Sequence, residues 1–157
     1  MLKYLVIIIA ALSATPVLAQ DDPAYLDDGS TPQLLVESFY NAISRFELGR
    51  AWSYLNPESR PDYETFFAEF EQIDNATPIF GFLLADARAG AIFYELPVVV
   101  EILDDEGEYS YQAGCIGVGW PLNDLQDNGP YLMPYVNYGG MQRVEGPATN
   151  VQLPVCD

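Results

Sequence analysis

Histidine is absent from this chain, lysine occurs once, at Lys3, and cysteine only twice. Without an imidazole there is no Ser–His or Cys–His nucleophile and no histidine-ligated metal, which removes the commonest hydrolase and zinc arrangements. Positive charge is scarce: 6 Lys and Arg stand against 23 Asp and Glu, a formal charge of -17. Nucleic acids and anionic membranes are bound through basic patches, so neither is expected as a partner. What is plentiful is apolar surface. Half of the 157 residues are hydrophobic and 13% are aromatic, enough to build the core of one domain.

Met1-Leu2-Lys3 gives one positive charge, Tyr4 to Leu12 is an uninterrupted apolar run, and Val17-Leu18-Ala19 ends in small or short side chains. This order predicts a secretory signal peptide over residues 1–19, cleaved near Ala19, and therefore an exported chain, periplasmic or extracellular. The run is too short for a hydrocarbon core that needs about 20 residues. No later segment is long enough either, so no membrane span is expected after cleavage. With Lys3 removed, every positive charge is an arginine: Arg45, Arg50, Arg60, Arg88 and Arg143. An acidic surface of this kind serves solubility, a basic protein partner or a cationic ligand.

In an exported chain Cys115 and Cys156 are expected to pair. Closing a ring of about 40 residues is worth roughly 4 kcal/mol in the chain-entropy model. Because Cys156 is the penultimate residue, the bond would pin the C-terminus to a strand.

Residues 20–30 are acidic and lack apolar periodicity, which predicts a flexible leader before a single domain over 31–157. Thr31 and Pro32 are a helix cap and first helical position, and Leu35, Phe39, Ile43 and Phe46 then recur at helical steps. Leu48 to Leu55 predicts a second, short helix stopped by Asn56-Pro57. Pro61 to Gln72 predicts a third, with Tyr63, Phe66, Phe67 and Phe70 on its apolar side.

From Thr77 the period shortens to two. Ile79 to Ala87 and Ala91 to Leu103 read as strands, the latter with Ile92, Tyr94, Leu96, Val98, Val100 and Ile102 on one face. Pro97 predicts an edge position or a bulge. Asp104-Asp105-Glu106-Gly107 is a hairpin turn and Glu108 to Trp120 the returning strand. A polar loop spans Pro121 to Pro130, and Tyr131 to Val144 reads as one more strand, broken by Pro134 and Gly139-Gly140. Helices followed by an antiparallel meander give an α+β fold class, with three N-terminal helices packed on a curved antiparallel sheet.

The stretch Leu34 to Leu55, with Phe39-Tyr40-Asn41-Ala42-Ile43 and then Arg50-Ala51-Trp52, resembles the opening of NTF2-like (nuclear transport factor 2-like) domains. Phe93 to Val100 and Gln112 to Val118 are similar to the central strands of exported members. The resemblance implies a cone, a curved sheet around helices enclosing an apolar pocket, in a family of isomerases, dehydratases, assembly domains and pure binding modules. It also implies pairing of two copies through the outer sheet face, which Glu95 and Glu101 would crowd with charge.

For such a pocket the expected lining is drawn from Tyr40, Trp52, Phe66, Phe70, Tyr94, Tyr111 and Trp120. Asp86 is the only candidate for a base, and Arg88 two residues on would hold it charged in an ion pair. Gly114-x-x-Gly117-x-Gly119 has the wrong spacing for a phosphate loop and reads as a glycine-bearing strand. Asp104 to Glu108 is too short for a calcium loop. No cofactor or metal motif remains. The leading expectation is a non-catalytic binding or assembly module for a small apolar ligand. The alternatives are an acidic inhibitor or decoy of a basic envelope-directed protein, and an isomerase or lyase using Tyr and Asp.

Overall fold

The computed structural model describes residues 23–88, 90–125 and 131–156; the expected signal peptide and part of the polar loop lie outside them. The fold is α+β, three helices on an open, six-stranded antiparallel sheet. The helices are α1 (Pro32–Ser44), α2 (Leu48–Ser53) and α3 (Tyr63–Phe70). The strands are β1 (Ile73–Phe80), β2 (Leu84–Arg88), β3 (Ala91–Asp104), β4 (Tyr109–Pro121), β5 (Tyr135–Asn137) and β6 (Gln142–Val144). No described helix is long and apolar enough to cross a membrane.

Helix α1 begins as its sequence dictates, with the Thr31 hydroxyl accepting from Leu34 N and Pro32 in the first turn. It ends at Phe46, whose φ of +53° places a bulky side chain in the left-handed region usually left to glycine. Buried Ser44 ties this helix to the sheet: its hydroxyl donates to Tyr40 O and accepts from Ala76 N of β1 at 2.9 Å. Helix α3 starts later than the pattern suggested, because Asp62 caps it through the amide and the hydroxyl of Thr65.

Strands β3 and β4 form the centre of the sheet. β1 and β2 lie end to end along the outer edge of β3, and β5 and β6 along that of β4. The expected strand over Ile79 to Ala87 is therefore two strands with a break at 81–83. Pro97 lies in an interior strand, and opposite it the register shifts by one residue between the pairs Phe80–Val98 and Leu84–Glu95, so the expected bulge is there and the edge position is not. Its carbonyl accepts from Gly81 N at 2.7 Å, and the return bond that proline cannot donate falls where the β1 ladder ends and the register shifts. The expected strand from Tyr131 to Val144 is likewise two short strands, and Tyr131 to Pro134 stays outside the sheet.

The two-residue period divides the sheet's faces. Leu96, Val98, Val100, Ile102, Ile116 and Val118 meet Phe39, Ile43 and Phe66 in the core under the helices. On the opposite face, the C-terminal segment lies across β3 and leaves Val99 only 1% exposed. Leu153 reaches the contact of Gly81 with Pro97, and the disulfide between Cys115 and Cys156 fastens the end of the tail. The face through which pairing was expected is covered at its middle by the chain's own tail.

Residues 23–29 lie against the helices. Asn41 and Ser38 of α1 bond the backbone of Ala24, Leu26 and Asp28. Arg50 of α2 donates to Leu26 O at 2.7 Å, to Asn41 and to Glu47, and its guanidinium stacks on Tyr25. Tyr54 donates to Asp27, which holds that carboxyl below its usual range, and burial together with this bond pushes the Tyr54 phenol up to about 12.

Since the Asp27 pKa is lower folded than unfolded, its contribution is complete above the usual carboxylate range and is lost as pH falls through the folded value. Hydrogen exchange is therefore expected to show the Leu26 and Asp28 amides protected at pH 6, with protection falling below about pH 4. Arg50→Gln is expected to remove that protection at both pH values and to cost about 2 kcal/mol. Unchanged exchange in the variant would contradict this anchoring.

Candidate functional site

Among the described residues, three concavities border the aromatic core. The largest of these, about 550 Å³, is an open cleft between Leu55, Asn56, Pro57 and Glu58 after α2 and the segment from Tyr131 to Tyr135, with Gly90, Ala91 and Pro121 also lining it. A second, of about 380 Å³, lies between Asn56 to Pro61 and Val136 to Gly139. The third is a smaller cavity of about 170 Å³ between α1, α3 and the sheet, reached by Tyr40, Glu69, Phe70, Gln112 and Tyr138.

The large cleft has a fixed geometry. Its first wall is tied to the sheet by reciprocal bonds, Asn56 N to Val136 O and Val136 N to Tyr54 O, at 3.2 and 2.8 Å. Its second wall is clamped by Asn123, whose side-chain amide donates to Leu132 O at 2.9 Å and accepts from Leu132 N at 2.8 Å. This clamp holds a short apolar run in solvent: Tyr131, Leu132 and Met133 are 75%, 43% and 70% exposed. The Tyr135 ring lies over Gly119, where a Cβ would stand 2.1 Å from the ring, so the glycine-bearing strand foreseen at Gly114 to Gly119 is the seat of this tyrosine.

The seven expected lining residues do not converge on one pocket. Phe66 and Phe70 pack against Phe39 and Tyr138, with Tyr40 edge-on to Phe39 at 5.0 Å. These rings fill most of the space under the helices, and of the seven expected residues only Tyr40 and Phe70 border the small cavity. Trp52 stands apart, with the Arg60 guanidinium 3.4 Å above its ring, Tyr63 at its edge and its indole N–H given to Pro61 O. Tyr94 and Trp120 form an edge-to-face pair toward the β2 end of the core face. Tyr111 is opposite Glu101 on the outer face, because an odd-numbered residue of β4 points away from the helices.

Asp86 is also on the outer face, level with Phe93, exposed and paired with Arg88 at 2.7 Å. The ion pair with Arg88 is the one the sequence suggested, and it stands on the outer surface, away from the core. Asp104 is committed to its turn, accepting from Glu106 N and Glu108 N. Among the described residues, Glu95, Cys115 and Cys156 bring three ligand-type side chains together, and both sulfurs are consumed by the disulfide.

Tyr138, Glu69 and Asn123 were not singled out from the sequence. Tyr138 donates to Glu69 Oε2 at 2.8 Å across 69 residues of chain, a pairing no local pattern carries. Burial, then Glu69, pushes the Tyr138 phenol strongly up; burial does the same to Tyr40, so both are neutral hydrogen-bond donors at physiological pH. Comparisons with protein-family models, curated proteins and solved structures return no match for this chain. The chemistry of its surfaces is the remaining guide.

Proposed function

We propose that the chain is an exported, non-catalytic NTF2-like binding module that takes a small apolar or amphipathic ligand in the 550 Å³ cleft beside Tyr131 to Tyr135. The observation that carries the reading is the Asn123 clamp. It spends both ends of one side-chain amide on holding Leu132 and its apolar neighbours in water, where they would otherwise fold inward. The cleft's volume lies in the range of small-molecule sites, and Asn56, Ser53 and Glu58 at its rim supply polar groups that can orient a ligand. The NTF2-like assignment rests on three helices covering one face of an open antiparallel sheet. Export rests on the leader sequence together with the disulfide. Catalysis finds no support, since the one base suggested by the sequence stands in a surface ion pair.

Thermal-shift screening with small apolar and amphipathic compounds tests the proposal. A ligand at 100 times its Kd stabilises by about 2.7 kcal/mol, a rise of several degrees. Leu132→Asp is expected to abolish that rise while leaving the unliganded Tm nearly unchanged, because Leu132 is partly exposed already. A screen without hits, or hits that stabilise the variant equally, would remove the cleft as the binding site.

A further inference from the structure

The small cavity has a chemistry different from that of the cleft. Its walls are the rings of Tyr40, Phe70 and Tyr138, and its polar groups are the Glu69 carboxylate, the Gln112 amide and two phenolic hydroxyls. Tyr138 uses its hydroxyl to fix Glu69 through Oε2, and Oε1 makes no hydrogen bond to any described residue.

Tyr40 is 4% exposed, and its hydroxyl has no hydrogen-bond partner among the described residues. No described side-chain polar atom is sealed from solvent without a partner, so this hydroxyl meets the cavity rather than packed carbon. A nearly buried phenol with an unused hydroxyl is costly unless something in the cavity receives it.

We propose that this cavity binds a small organic ammonium ion, its charge set against Glu69 and the rings of Tyr40, Phe70 and Tyr138, with Tyr40 and Gln112 bonding a polar group of the same ligand. The site is separate from the apolar cleft and does not depend on it.

The competing ligand classes fit less well. An anion would face the Glu69 carboxylate and a chain of charge -17. A bare divalent cation needs six or more oxygen ligands, and the cavity offers one carboxylate, one amide and two phenols. A purely apolar molecule would leave the Tyr40 hydroxyl without a partner and the Glu69 charge without a counter-ion.

An ammonium ion with a polar substituent fits these groups, because aromatic rings and a carboxylate attract the same charge and the substituent can receive the Tyr40 hydroxyl. Its size is bounded as well: a cavity of about 170 Å³ admits a compact ion and no long chain. Glu69 is exposed at its outer side, so the cavity opens to solvent at the residue that would attract the cation. The net negative charge of the chain adds a long-range bias in the same direction.

The test is an NMR titration of the oxidised protein with choline and, separately, with its neutral isostere 3,3-dimethylbutan-1-ol. Choline is expected to shift the amides of Gly139, Gly140 and Met141 and the ring signals of Tyr138. Its affinity is expected to be about tenfold or more above that of the neutral compound. Glu69→Gln, a change at an exposed position that leaves an acceptor for Tyr138, is expected to weaken choline about tenfold. Tyr40→Phe is expected to weaken it several-fold, and Glu64→Gln, an exposed change on the same helix outside the cavity, to leave it unchanged. Equal binding of the two compounds, an unaffected Glu69→Gln variant, shifts confined to other surfaces, or no shifts at high millimolar choline would each overturn the proposal. Apolar hits that respond to Leu132→Asp and not to Glu69→Gln would report on the cleft alone.

Discussion

Replacing Cys115 or Cys156 by serine is expected to destabilise the protein by about 4 kcal/mol and to lower its Tm by about 10 °C or more. The two residues are 41 apart in sequence, a ring long enough for the chain-entropy term to be large. The structural consequence reaches beyond the bond. Cys156 lies at the end of a tail that crosses the outer face of β3 and shields Val99 and Pro97; Ala148 and Cys156 are themselves buried there. Once untethered, a tail with little regular structure has few other reasons to stay, and the apolar middle of the outer face becomes exposed. Denaturant unfolding of the wild type with and without reductant, and of Cys115→Ser, measures the effect. The reduced wild type and the variant are expected to agree, and both to associate at concentrations where the oxidised chain does not. A loss below about 1 kcal/mol would mean that packing alone holds the tail.

The second large effect is expected at Phe39. Its ring is fully buried and lies within 6.4 Å of four others, Tyr40, Phe66, Phe70 and Tyr138, so it joins α1 to α3 and to the segment between β5 and β6. Truncation removes the transfer energy of a whole ring and leaves a cavity that neighbours in close packing cannot fill. Phe39→Ala is therefore expected to cost about 3–5 kcal/mol, at the upper end because rings on three sides are fixed by other elements. Phe46, three residues beyond the apolar stripe's inner positions, is the contrast. It is 59% exposed and touches only Phe67 among the aromatic rings, and Phe46→Ala is expected to cost below about 1 kcal/mol. Similar losses at the two positions would show that the rings under the helices are not the core.

Where the sequence was informative, a local rule and a burial rule agreed. Thr31-Pro32 followed by Leu35, Phe39 and Ile43 states both the start and the buried side of α1, and the structure has both. The alternation from Ile92 to Ile102, with Gly107 at a φ of +83° in the following turn, likewise stated the central hairpin and its core face. β1 was missed over most of its length because Ile73-Asp74-Asn75-Ala76-Thr77-Pro78 carries no alternation. It is an edge strand with only Ala76 buried, held by its partner rather than by its own pattern.

The candidate sites were less legible because parity and long-range pairing decide them. Tyr111 was reasonable by residue type and lies on the outer face, which follows from register and not from composition. The docking of residues 23–29 could not be read from an acidic segment without periodicity, since its anchors are Asn41, Arg50 and Tyr54, well downstream. The same holds for Asn123 and Leu132, and for Tyr138 and Glu69. Each pair is made by the fold, and together they define the two surfaces on which the functional reading rests.

Crystals of the oxidised protein soaked with the strongest apolar hit from thermal-shift screening examine that reading most directly. Density is expected between Pro57 and the run Tyr131 to Tyr135, with Leu132 still clamped by Asn123. Ligand density on the outer face of the sheet, or a cleft closed by inward-folded Tyr131 and Met133, would contradict the account.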